Sequence, residues 1–224
     1  MNIYPYLDFN SLIEDAVKEK KMLLSVNAEI LLRANDKIKS IYNSNIGYAD
    51  GVGAVMALQK KGVSDAVKLP GCELWLQIIK KYHKQAKFYF VGSTEEVIKA
   101  TVAKLKSEFP AINIVGYRNG YISSEIEEQN LVSDIHKTKP DFVFVAMGMP
   151  KQELLMDKMN KQHNAVYLGL GGSFDVYTGK VKRAPKWWIE HNLEWAYRLC
   201  LQPKRIKRQL ILIKFLFLVK FGKL

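Results

Sequence analysis

Glycines followed by polar side chains punctuate the second half of this sequence. Phe142-Val143-Phe144-Val145-Ala146 reads as a buried strand and breaks into Met147-Gly148-Met149-Pro150-Lys151-Gln152-Glu153. A second apolar run, Ala165-Val166-Tyr167-Leu168, opens into Gly169-Leu170-Gly171-Gly172-Ser173-Phe174-Asp175. Arg183-Ala184-Pro185, Glu194-Trp195 and the arginines Arg198, Arg205 and Arg208 follow. In an open parallel sheet, ligands sit outside the carboxyl ends of the strands, where both of these breaks fall.

Taken one at a time, the polar groups have ordinary explanations. Asp50-Gly51-Val52-Gly53 is a turn that opens a helix, and Asp50 alone reads as its N-cap. Gly92-Ser93-Thr94 could hold phosphate at a helix start, but Ser93 and Glu96 also have capping-box spacing. Pro150 followed by Lys151-Gln152-Glu153 suits a proline-started helix. Trp187, Trp188 and Trp195 read as core residues. Phe174 stands where a dinucleotide fingerprint would need its third glycine, so hydride transfer is poorly supported. His83, His136, His163 and His191 lack ligand spacing, no Asp-x-Asp occurs, and no metal is expected. No G-x-S-x-G or Cys/His arrangement points to a hydrolase, and Cys72 and Cys200 read as reduced thiols.

The elements that must position these residues alternate. Strands are expected at 22–24, 87–91, 112–116, 142–146 and 165–168. Helices are expected at 7–20, 28–42, after Asp50, at 72–83, 95–109, 124–137 and from 151, with a helical region from 185. Spacing between strands of roughly 25–30 residues matches βαβ units, which predicts an α/β fold. That fold is a doubly wound, mostly parallel sheet with helices on both faces.

The chain has 224 residues, 48% of them apolar, enough for one domain with a sizeable core. Its net charge of +12 suits an anionic partner: nucleic acid, an acidic membrane or a phosphorylated substrate. Lys204, Arg205, Lys207, Arg208, Lys214, Lys220 and Lys223 concentrate that charge in residues 203–224, which contain no acid. Drawn as a helix, Lys204, Lys207, Arg208 and Lys214 share roughly 120° of its circumference, with Ile206, Leu210, Ile213 and Phe217 elsewhere. This is a basic amphipathic helix of the interfacial kind, and the alternative is packing against the core or another subunit. The division expected is an α/β domain at 1–195 and a membrane-associating appendage at 196–224. The N-terminus has no signal-peptide pattern, and no apolar run reaches the ~20 residues of a membrane span.

Taken in order, the motifs resemble the WecG/TagA/CpsF glycosyltransferase family. The matching pieces are Ser25-Val26-Asn27, Asp50-Gly51-Val52-Gly53, Lys68-Leu69-Pro70-Gly71, Phe90-Val91-Gly92-Ser93 and Gly116 to Gly120-Tyr121. They continue through Gly148 to Glu153, Gly171 to Asp175, Arg183-Ala184-Pro185, Glu194-Trp195 with Arg198, and Pro203 with Arg205 and Arg208. The resemblance implies transfer of N-acetylmannosamine or a related sugar from a UDP-sugar to a polyprenyl-diphosphate-linked amino sugar, with inversion and without a metal. It implies Asp50 as general base, with Ser25 and Asn27 near the reacting sugar. It also implies donor contacts at Gln152 and Asp175, and close backbone approach at Gly92, Gly148 and Gly172. Lys68, Arg183, Arg198, Arg205 and Arg208 are the cations available to a departing diphosphate. The implied location is the inner face of a bacterial cell membrane.

The sequence departs from the family pattern at two places: Ser25 replaces the usual Thr, keeping the hydroxyl, and Lys68 replaces the usual Arg, losing the bidentate fork. A binding protein that holds nucleotide-sugar or lipid diphosphate without catalysis is the rival reading. Nucleic-acid binding rests on charge alone and is not expected.

Overall fold

The computed structural model describes residues 1–201, Ile206, Ile211, Lys214, Phe215 and 217–219, and for Arg198 the backbone alone. The first half runs α1 (Phe9–Glu19), β1 (Leu23–Val26), α2 (Ala28–Arg33), α3 (Asp36–Asn43), β2 (Ile46–Ala49), α4 (Val52–Lys60) and α5 (Gly71–Tyr82). It continues with β3 (Lys87–Gly92), α6 (Glu95–Glu108), β4 (Asn113–Arg118), α7 (Glu125–Thr138), β5 (Phe142–Ala146) and α8 (Lys151–Gln162). The last elements are β6 (Val166–Gly169), α9 (Ser173–Tyr177), α10 (Lys186–Glu190) and α11 (Glu194–Leu201). The six strands form one sheet in the order β2-β1-β6-β5-β3-β4, and every pairing is parallel.

Strand alternation sorts the core into two layers. Phe88, Phe90, Phe142 and Phe144 face α1, α5 and α6, where Leu12, Trp75, Ile78 and Val102 are buried. Tyr89, Val91, Val143 and Val145 point the other way, toward Ile38 and Tyr42 of α3, Leu58 of α4, Leu131 of α7 and Met156 of α8. Helices therefore cover both faces, as the doubly wound reading requires. Trp75 meets Phe144 and Phe174 edge-on, with centroids 5.9 Å and 5.5 Å away, and so pins the start of α9 to the sheet.

Three local readings need correction. The helix expected over 28–42 is two helices, because Ala34 is extended and Asn35 caps α3 by accepting the N–H of Ile38 at 2.9 Å. Ile46–Ala49 is a full strand whose short apolar run the sequence reading passed over; it is buried throughout and pairs with β1 along its length. The cap of α6 is Thr94, which accepts from Val97, and not Ser93. Ser93 takes a left-handed φ of 53° and turns its hydroxyl elsewhere.

At the C-terminus, Phe215 and Val219 are buried with Ala28 against α2 and α4, and Lys60 Nζ donates to the Val219 carbonyl. Phe217 and Ile206 are about half exposed or more, at 59% and 49%. Most of the basic run in 203–224 lies outside the described residues, Arg205 and Arg208 included. Among the described residues no helix is long and apolar enough to cross a membrane.

Gly92 closes β3 with φ at 135°, and a Cβ there would collide with the Ala146 carbonyl of the neighbouring β5. Gly92→Ala is expected to cost about 3 kcal/mol. The measurement is the urea midpoint; a midpoint equal to wild type would show that the β3–β5 junction does not require glycine.

Candidate active site

The carboxyl ends of β1, β2, β5 and β6 surround a cavity of about 700 Å³. Ser25 and Asn27 reach it from β1, Asp50 from β2, Met147 and Gly148 from β5, and Gly169 and Gly171 from β6. Gln152, Glu153 and Asp175 enter from the first turns of α8 and α9. Lys68, Lys182, Glu194 and Trp195 stand on segments that close over it.

Gln152 holds the floor together. It is buried, and its Oε1 accepts the N–H groups of Gly148, at 3.0 Å, and Gly171, at 3.1 Å. The two glycines have φ of 80° and 55° and turn the β5 and β6 loops toward each other. Gln152 Nε2 donates to Glu153 Oε1 at 2.9 Å. Gly169 leaves room for this amide, since a Cβ there would lie 2.6 Å from Nε2. Gln152 thus spends most of its hydrogen-bonding capacity on the protein, which the sequence reading, as a donor contact, did not anticipate.

By sequence Glu153 is no more than a polar first-turn residue. It is 1% exposed, its Oε2 has no hydrogen-bond partner among the described residues, and burial raises its pKa above the usual carboxyl value. The sequence signal was two adjacent polar residues, Gln152 and Glu153, on a helix whose next turn, Leu155-Met156, is core.

Asp50 does not cap α4. The N-cap is Gly51, and the Asp50 carboxylate instead accepts the N–H of Gly71, first residue of α5, at 2.6 Å. Its own N–H donates to Val26, so the β1–β2 ladder and the α5 N-terminus together fix it. Gly71 permits this approach: a Cβ would stand 2.8 Å from the Tyr48 hydroxyl and 3.6 Å from Asp50 Oδ1. Asn27 lies beside it, with its Cβ 3.3 Å from the position of a Cβ on Gly51. Asn27 Oδ1 caps α2 by accepting from Glu29 and Ile30, and the residue lines the cavity.

Asp175 is held by Ser93, whose hydroxyl lies 3.2 Å from both carboxylate oxygens. Gly92 and Ser93 do not line the cavity themselves; they act on it through Asp175 and Ala146. Lys68 Nζ is 3.4 Å from Asn192 Oδ1, in the turn between α10 and α11. Arg183 is not among the lining residues and pairs with Glu73, while Val181 and Lys182 on the same loop line the cavity. Arg198 belongs to α11 by its backbone; Arg205 and Arg208 lie outside the described residues.

Among the described residues the lining carries Glu29, Asp50, Glu153, Asp175 and Glu194 against Lys68 and Lys182, an acidic interior in a basic chain. The helices that follow the parallel strands, α4 and α8, begin at the cavity rim, where their free N–H groups and dipoles favour negative charge. Among the described residues no three His, Cys, Asp or Glu converge as a metal-ligand set. The arrangement offers hydrogen-bonded carboxyl groups at Asp50, Asp175 and Glu153 and a rim able to take an anion. The model of the glycosyl transferase WecG/TagA/CpsF family matches residues 4–224 of this chain.

Gln152→Ala leaves two loop N–H groups and one Glu153 oxygen unpaired and is expected to cost about 2–4 kcal/mol. Amide exchange at Gly148 and Gly171 should accelerate; unchanged exchange there would remove the clamp. Glu153, with its raised folded-state pKa, keeps a proton that the unfolded chain has already lost at mildly acidic pH. Its stabilisation is therefore full below the unfolded value, about 4.5, and falls as pH rises through the folded value. Glu153→Gln keeps an acceptor for Gln152 and should melt above wild type at pH 8, with the gap closing toward pH 4.5. A gap that is constant with pH would show that the carboxyl does not titrate differently on folding.

Proposed function

The chain belongs to the WecG/TagA/CpsF glycosyltransferase family, and from that membership we propose a specific reaction. The protein moves N-acetylmannosamine or a related hexose from a UDP-sugar to a polyprenyl-diphosphate-linked amino sugar, with inversion and without a metal. The observation that carries the reading is the Asp50 carboxylate, fixed by the Gly71 N–H at the wall of a cavity large enough for a nucleotide-sugar.

In this reading, the acceptor hydroxyl oxygen attacks the anomeric carbon from the side opposite the diphosphate. The bond between that carbon and the phosphate oxygen breaks, and its electron pair leaves with UDP. Asp50 takes the hydroxyl proton as the new glycosidic bond forms. An orienting bond to Oδ1 lowers the cost of positioning this base at the moment of attack. Ser25 and Asn27, which line the same cavity, would hold sugar hydroxyls, while Gln152 and Asp175 would meet the donor. Gly148 and Gly172 bring backbone close to the nucleotide.

Charge on the leaving diphosphate needs cations aimed at it. Lys68 stands at the cavity, and Arg198, Arg205 and Arg208 are the further candidates, carried on the C-terminal segment. The acidic lining near Asp50 and Asp175 suits hydroxyl-bearing sugars better than phosphates, so the diphosphate is placed toward the Lys68 side. The basic run in residues 203–224 would hold the protein at an anionic membrane surface, each cation contributing about 1 kcal/mol. The lipid-linked acceptor is presented there, on the cytoplasmic face.

The test is UDP release and product mass with a panel of UDP-hexoses and a polyprenyl-diphosphate-linked N-acetylglucosamine acceptor in vesicles. Turnover is expected, and it should survive EDTA. Asp50→Asn is expected to cut turnover by about 10³-fold while UDP affinity stays within about twofold. Near-normal turnover in that variant would remove Asp50 as the base. UDP binding without transfer from any donor would leave a nucleotide-sugar binding protein in place of an enzyme.

A further inference from the structure

Arg183 is out of place as a phosphate ligand. Its neighbours Val181 and Lys182 line the cavity, yet Arg183 does not, and its guanidinium pairs with Glu73. Both side chains are about one-third exposed, at 33% and 38%, so the pair is only partly screened. Glu73 sits in the first turn of α5, two residues after Gly71, whose N–H holds the Asp50 carboxylate. Between them Cys72 lines the cavity; burial, opposed by the nearby Arg183 charge, leaves its thiol raised to about 11. A separate contact, from Lys68 before α5 to Asn192 in the turn after α10, spans 3.4 Å.

The chain of contacts therefore runs from the loop that precedes α10, through Arg183 and Glu73, into the turn that aims Asp50. We propose that Arg183 is a positioning residue for the base: its pairing with Glu73 locks the first turn of α5, and through Gly71 sets the direction of the Asp50 carboxylate. The loop before α10 and the base are thereby mechanically joined, so that loop must dock correctly for Asp50 to be correctly aimed. This assignment rests on the reading of Asp50 as the base, and it gives Arg183 a different role from Arg198, Arg205 and Arg208.

The test uses the full chain with Cys200→Ser, so that Cys72 is the only thiol. Arg183→Met, Arg183→Glu and the double reversal Glu73→Arg with Arg183→Glu are compared for kcat, UDP affinity and the rate at which a thiol reagent labels Cys72. Arg183→Lys, which keeps the charge, is the milder variant should the others fold poorly. The single variants are expected to lose tenfold or more in kcat, keep UDP affinity within about twofold and label several-fold faster. The double reversal should bring both kcat and labelling back to within about threefold of the parent, which a phosphate contact could not do. Electrostatics alone would have the opposite effect on labelling, since removing the guanidinium raises the thiol pKa and slows the reaction. Faster labelling thus reports a loosened first turn.

UDP affinity falling tenfold in Arg183→Met, with no recovery in the double reversal, would overturn the proposal and make Arg183 a phosphate ligand. Unchanged kcat and labelling would overturn it as well. If the parent transfers no sugar at all, the glycosyltransferase reading fails instead, and the labelling alone decides. Acceleration in the single variants with recovery in the double reversal upholds the lock on α5, and unchanged labelling rejects it.

Discussion

One buried amide holds the candidate site in register. Gln152 accepts from Gly148 and Gly171, the turning points of the loops after β5 and β6, and spans them with a single oxygen. Backbone N–H groups taken from water must find acceptors, and a loop that turns through left-handed glycines has no ladder to supply them. The amide supplies both at once and fixes how far apart the two loops can stand. Glycines at 148, 169 and 171 are then required by geometry: two for their φ values and one because the amide occupies the space a side chain would fill. Trp75 reinforces the same region from below by pinning Phe174.

Around that clamp, each acidic side chain is held by a different part of the fold. Asp50 is tied to the N-terminus of α5, Asp175 to the β3 turn through Ser93, and Glu153 to Gln152. Each of these three is fixed by a donor that defines its direction. The cavity therefore presents oriented acceptors to a polyhydroxylated ligand, while positive charge gathers toward the C-terminal segment.

The C-terminal residues join two roles. Phe215 and Val219 pack on α2 and α4, the two helices that start beside Asn27 and Asp50, so the end of the chain rests on the elements that frame the base. Phe217 and Ile206 remain exposed. Among the described residues of this segment, some apolar side chains are buried in the protein and others are exposed.

Local sequence determined the layer architecture and the places where the backbone must turn. Alternating phenylalanines in 88–90 and 142–144, apolar helical periodicities and glycine breaks after β5 and β6 are short-range signals, and the parallel sheet with helices on both faces follows from them. The family motifs, read in order, placed Ser25, Asn27, Asp50, Lys68, Gly148, Gln152, Gly172 and Asp175, and all eight line one cavity. Only the tertiary structure decided what each residue bonds. Ser93 has the spacing of a cap, yet it binds Asp175, 82 residues away; Asp50 has the look of a cap, yet it binds Gly71, 21 residues away; Arg183 pairs with Glu73 across 110. A capping signal is a contest between a local partner and any donor or acceptor that folding brings nearer. Sheet order, which puts β1 beside β6 and β5 beside β3, settles that contest, and no local pattern encodes it.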